Sequence, residues 1–201
     1  MKNDEQLMWC ETVMEKSIES LVKRIGNDLQ EIENLLGREG DRPLKIRFPR
    51  GYLRKAKFFR DQYWFIHDKN LQRNISYALI LSDVYRWLLN RIDLKGTARE
   101  MIIKEGVCLV GTLCESITKD VARNISGKNT GYKQRTAAMV KNGMISDDLK
   151  KALDDLWDWR NREHLFLLEE WEYGKYKLSH YDNAIDALRS LRESLDAYFR
   201  K

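Results

Sequence analysis

Between Leu7 and Leu36 the apolar residues Met14, Ile18, Leu21, Ile25, Leu29, Ile32 and Leu36 recur at steps of three and four. That period follows one face of an α-helix and cannot follow a strand, so a chain that opens this way is committed to a long amphipathic helix. Gly26 weakens the helix without ending it. Gly37, Gly40 and Pro43 supply the stop. Both prolines of the chain, Pro43 and Pro49, fall in the segment that follows, which reads as a connector with a short extended piece at Leu44 to Phe48.

The same helical period governs the rest. A helix is expected to resume near Gly51 and run through Phe58, Phe59, Tyr63, Trp64 and Phe65. Leu71, Ile75, Ala78, Ser82, Tyr85, Leu89 and Ile92 mark a third helix. Thr97 is placed to cap a fourth, with Ile102, Gly106, Leu109, Leu113 and Ile117 on its buried side. Gly106, Gly111 and Cys114 are small enough to let a neighbouring helix approach closely. Asn124 to Lys133 is a polar loop with Gly127 and Gly131. Ser146, followed by Asp147 and Asp148, opens the next helix with an acidic first turn that suits the helix dipole. After a connector around Gly174, Tyr181 to Phe199 closes the chain with Ile185, Leu188, Leu191 and Leu195 in register. No strand-like alternation competes, so the fold class is all-α, without internal repeat.

Composition narrows the class further. A chain of 201 residues fits one domain, or one domain with an extension. No apolar run near Met1 resembles a signal peptide, and Tyr77 to Ile92 is too short and too charged, at Asp83 and Arg86, to span a bilayer. The three cysteines, Cys10, Cys108 and Cys114, cannot all pair within one chain and lack metal-ligand spacing. They read as reduced thiols of a cytoplasmic protein, with no membrane partner, no metal and no cofactor expected.

Charge is unevenly distributed. Residues 42–60 contain Arg42, Lys45, Arg47, Arg50, Arg54, Lys55, Lys57 and Arg60 and no acid, more than the whole net charge of +5, so the remainder is net acidic. Such a local field suits an anionic partner. The basic residues interleave with Phe48, Tyr52, Phe58 and Phe59. Arg50, Arg54, Lys57 and Arg60 are therefore candidate RNA-binding residues, neutralising phosphates while exposed aromatics stack on bases. The opposing expectation is that the aromatics are core and the basic stems lie over them.

A second feature breaks the binary pattern. On the helix that Ser146 opens, Leu149, Leu153 and Leu156 form an apolar arc, and Leu167 returns to it. Arg160 lies about 20° and His164 about 60° from Leu149, inside that arc. At i and i+4 the two can converge on one anion. An imidazole that moves protons near neutral pH, beside a guanidinium that stabilises phosphate charge, suits metal-free cleavage of RNA by its own 2′-hydroxyl. A purely structural hydrogen-bonded pair near the helix end is the bland alternative.

The run Leu156-Trp157-Asp158-Trp159-Arg160-Asn161-Arg162-Glu163-His164-Leu165 resembles the signature of HEPN domains, small all-α modules in which an Arg, often followed by Asn, precedes a His. The segment Tyr181-Asp182-Asn183-Ala184-Ile185-Asp186-Ala187-Leu188 is similar to the opening of the helix that follows in that family. The likeness covers Thr97 to the end. Three residues separate Arg160 from His164, where the family usually has four to six.

The resemblance implies an antiparallel helical bundle over 67–201, with 1–66 as an N-terminal helical extension. It further implies an endoribonuclease acting as a homodimer, of the kind found among toxins and defence proteins. Arg160 and His164 would be catalytic and Asn161 would orient the phosphate or the imidazole. RNA would be the substrate, and a cognate inhibitor or antitoxin protein stands as a further candidate partner. Glu115 and Lys119 resemble a Glu-and-Lys pair of some nuclease branches, although Glu four residues before Lys is also an ordinary surface pair. Two other readings stand beside the nuclease. One is a catalytically silent module that binds RNA, a nucleotide or a protein. The other is an adaptor dimerising through the long first helix. The Arg-Asn…His context favours nuclease and module over adaptor, and the short Arg-to-His gap favours module over nuclease.

Overall fold

The structure, a computed structural model, describes residues 2–37, 45–127, 129–161 and 173–201, with the backbone alone over 2–16. Among the described residues there are seven α-helices and no strand, so the chain is all-α. Contacts divide it into two compact units, Met1–Phe48 and Pro49–Lys201.

The first unit is α1, Lys2–Leu36. It ends as its glycines require: Gly37 takes φ of 58°, a left-handed conformation, and its N–H donates to the carbonyl of Glu33 at 2.8 Å. Ile18, Leu21, Val22, Ile25, Ile32 and Leu35 are exposed along it, while Leu29 and Leu36 are half-buried. Gly40, Pro43 and Leu44 lie outside the described residues. Residues 45–49 form no strand.

The second unit contains α2 (Ala56–Gln62), α3 (Lys69–Arg91), α4 (Gly96–Val121), α5 (Tyr132–Lys141), α6 (Asp147–Arg160) and α7 (Leu178–Phe199). It starts at Pro49, so residues 49–66, expected in the N-terminal extension, belong to this unit. The reason is burial. Phe59, Tyr63, Phe65 and Ile66 are all core residues, each at most 4% exposed. Full burial of side chains this size contributes about 1.5–3 kcal/mol apiece. The helix expected near Gly51 is correspondingly shorter, because the backbone N–H of Arg54 donates to Asp83 of α3 at 3.0 Å instead of entering a helical turn.

Helix α4 is the centre of the unit, packed against α3, α5, α6 and α7. It is buried nearly all round, at Ile103, Val107, Val110, Cys114, Thr118 and Val121 as well as at Gly106, Leu113 and Ile117. Of the expected stripe, Ile102 and Leu109 are only half-buried. The helix begins at Gly96, with Lys95 rather than Thr97 at the cap position. Two glycines bring neighbours close: a Cβ on Gly106 would lie 2.8 Å from the Tyr181 ring of α7, and one on Gly111 would lie 2.7 Å from Cβ of Arg160 on α6.

Helix α5 takes Tyr132 and Lys133 from the end of the expected polar loop and continues over residues to which the periodicity assigned no element, and it packs on α4 and α6. The Ser146 cap is formed as expected, its Oγ accepting from the N–H of Leu149 at 3.2 Å. In α7 the register holds: Leu188, Leu191 and Leu195 are buried and Ile185 half-buried. Cys108 and Cys114 are buried thiols, and burial pushes Cys114 up to about 12, which keeps it protonated and inert. No described helix is long and apolar enough to cross a membrane.

Candidate functional site

Arg160 is the last residue of α6. Its aliphatic stem lies in the notch that Gly111 leaves on α4, and the guanidinium reaches across to Glu115, with Nη2 to Oε2 at 3.5 Å. Both side chains are only partly exposed, at 23% and 29%. The guanidinium also lies over the Trp157 ring, 5.1 Å from its centroid. Trp157 in turn stacks on Tyr132 of α5, with centroids 4.6 Å apart and planes 9° from parallel. Arg135 lies over Tyr132 at 5.7 Å. Two arginines from different helices are thus each held against one ring of a stacked aromatic pair.

The hydrogen-bonding of this cluster is incomplete. Nε of Arg160, Nε of Arg135 and the Tyr132 hydroxyl are buried and have no partner among the described residues. Such atoms are uncommon in folded proteins, and each calls for an explanation. Burial raises the Tyr132 phenol far above its usual range, so it stays protonated.

Of the expected catalytic residues, the structure brings Arg160 and Glu115 together. Asn161 caps α6 and is exposed. His164 lies outside the described residues. Lys119 is exposed and does not share the Arg160 notch; it lines a separate cleft with Ser116, Asp120, Arg123 and Arg135. Glu115 lies off the line of Ile102, Leu109 and Leu113, and that stripe faces only some of α4's four neighbours. Gly111, one turn before Glu115, was the available signal for the face that α6 meets.

The expected RNA-binding residues separate in the same way. Arg54 is a structural residue. Its Nε donates to Asp83 at 3.0 Å, its Nη2 binds the other carboxylate oxygen, and it covers the Phe59 ring at 4.7 Å. Asp83 is 1% exposed, and a buried carboxylate requires such a partner. Arg50 and Lys57 are exposed, Lys57 in an ion pair with Asp61 at 2.6 Å, and Arg60 is half-buried in the last turn of α2. Arg42 lies outside the described residues. Phe59, Tyr63 and Phe65 are core, whereas Phe58 and Trp64 remain exposed at 43% and 40%.

His67 and His180 are structural: His67 donates its backbone N–H to the buried Asp120 at 2.8 Å, and Nδ1 of His180 accepts from the N–H of Lys177 at 3.2 Å. No cluster of three or more His, Cys, Asp or Glu able to hold a metal ion occurs among the described residues. A groove of about 670 Å³ between α6 and α7 is rimmed by Asp148, Asp155, Asp158 and Asp186, of which Asp158 pairs with Lys133 at 2.8 Å and Asp186 with Arg189 at 3.0 Å. No protein-family model, curated protein or solved structure matches the chain.

Proposed function

We propose that the chain is a metal-independent endoribonuclease of the HEPN type, working as a homodimer on RNA in the manner of a toxin or defence protein. The observation that carries this reading is Arg160. A guanidinium is set at the end of α6 by the Gly111 notch and Glu115, with a buried Nε lacking a partner among the described residues, four residues before His164. In the reaction, a base removes the proton of the RNA 2′-hydroxyl as its oxygen attacks phosphorus. The bond to the 5′-oxygen breaks, and an acid protonates that leaving oxygen. His164 serves as base or acid, and the second copy's imidazole supplies the complementary role. Arg160 stabilises the charge that builds on the phosphoryl oxygens, and Asn161, exposed beside it, orients the phosphate or the imidazole.

The test is cleavage of single-stranded RNA in excess chelator. The expected products end in 2′,3′-cyclic phosphate and 5′-hydroxyl, and His164→Ala should lower the rate by about 10²–10⁴-fold while leaving RNA binding intact. Cleavage that disappears with the chelator and returns with magnesium would overturn the proposal.

The Arg160–Glu115 ion pair favours a second reading, a catalytically silent module in which Arg160 braces α4 against α6. That reading is supported if RNA binds and no cleavage occurs.

A further inference from the structure

Beyond the Arg160 site, the C-terminal end of α4 and the start of α5 enclose a cleft of about 610 Å³, within the size range of small-molecule sites. Three cations line it: Lys119 from α4, Arg123 from the turn just after α4, and Arg135 from α5. The single carboxylate among its lining residues, Asp120, is 1% exposed and already occupied. It accepts from the His67 N–H at 2.8 Å and from Arg123 at 3.3 Å, and lies 3.2 Å from the His67 ring. Ser116 and Ser126 add hydroxyls. Three positive charges therefore face one spent negative charge, which leaves the cleft matched to a dianion.

Arg135 distinguishes this cleft from an ordinary basic surface. It is only 7% exposed, fixed by Nη1 donating to the Thr130 carbonyl at 2.8 Å and by its position over Tyr132. Its Nε is nevertheless buried without a partner among the described residues. A guanidinium held rigidly with donor capacity to spare is preorganised for oxyanion recognition, since little side-chain freedom is lost when the anion arrives.

We propose that this cleft binds a phosphate monoester of mononucleotide size. The phosphate, carrying about −1.5 to −2 charge at neutral pH, sits against Lys119, Arg123 and Arg135. The remainder of the ligand occupies the open volume beside Leu71.

The experiment is calorimetric titration of the full chain, at low ionic strength, with AMP, inorganic phosphate and adenosine. AMP and phosphate are expected to bind and adenosine not to. Lys119→Glu changes an exposed side chain and should weaken AMP binding about tenfold or more, with Arg123→Gln in the same direction. Lys151→Glu, an equal charge change on an exposed residue of α6 outside the cleft, should leave it within about twofold. His164→Ala should bind AMP like the wild type, which separates this site from the nuclease proposal. Absence of AMP and phosphate binding up to about 10 mM, a weak ligand by any measure, would overturn it. So would unaltered AMP affinity in Lys119→Glu, adenosine binding as well as AMP, or loss of AMP binding in His164→Ala.

Discussion

Arg54 and Arg160 are both partly exposed arginines that bridge two segments of the second unit, yet the molecule uses them differently. Arg54 gives its Nε and Nη2 to a carboxylate that is 1% exposed, and that carboxylate could not be buried without it. Arg160 meets a half-buried carboxylate through one 3.5 Å contact and keeps an Nε without a partner among the described residues. The first arginine is consumed by the fold. The second is positioned by the fold and left with capacity for something else. Position in a basic or an apolar stretch did not separate these roles; what faces each guanidinium did.

The contrast breaks most directly at Arg54. Arg54→Ala leaves Asp83 buried with only the 3.4 Å contact of Arg86 among its side-chain partners, and is expected to destabilise the protein by about 3 kcal/mol. Urea unfolding measures it, and a loss under about 1 kcal/mol would place Arg54 back among the solvated charges.

Next in size is the notch. Gly111→Ala puts a methyl group 2.7 Å from Cβ of Arg160, so α4 and α6 must part, at a cost of about 1–3 kcal/mol. Gly26→Ala in α1 has nothing within 4 Å of the new methyl and should instead stabilise that helix by about 0.5–1 kcal/mol. Equal effects at the two glycines would mean that Gly111 is not what seats Arg160. The smallest effect belongs to Lys57, whose pair with Asp61 is exposed on both sides: Lys57→Ala should change stability by less than about 0.5 kcal/mol.

Legibility in the sequence followed how many faces a helix buries. The α6 and α7 registers were readable because each hides one stripe, and the Ser146 cap and the Gly37 stop because their chemistry is local. The burial of α4 was readable only in part, at Gly106, Leu113 and Ile117, since a helix packed against four others keeps only a narrow exposed line at Glu105, Thr112 and Lys119. Helix α5 has ten residues beside a glycine-containing loop, too short for its stripe to stand out, and Arg135 went unnoticed with it. Asp83, an acid inside the apolar Tyr77–Ile92 segment, reads from the sequence only as a charge against a membrane span; its burial is what commits a distant cation to the core. Its partner lay 29 residues earlier in an acid-free basic run, where Arg54 looked like its solvated neighbours. Arg160 was legible as a charge on an apolar arc; the notch and the aromatic stack that hold it depend on α4 and α5, which local sequence does not contain.

The most direct test of the account replaces Arg160 by Gln, which removes the charge and keeps most of the packing volume, and measures RNA cleavage in chelator beside urea unfolding. The expected result is a cleavage rate lowered by about 10²-fold or more, the scale of losing one preorganised charge at the transition state. Stability should change by no more than about 1 kcal/mol. Wild-type cleavage by Arg160→Gln, or a loss of stability as large as that of Arg54→Ala, would contradict it.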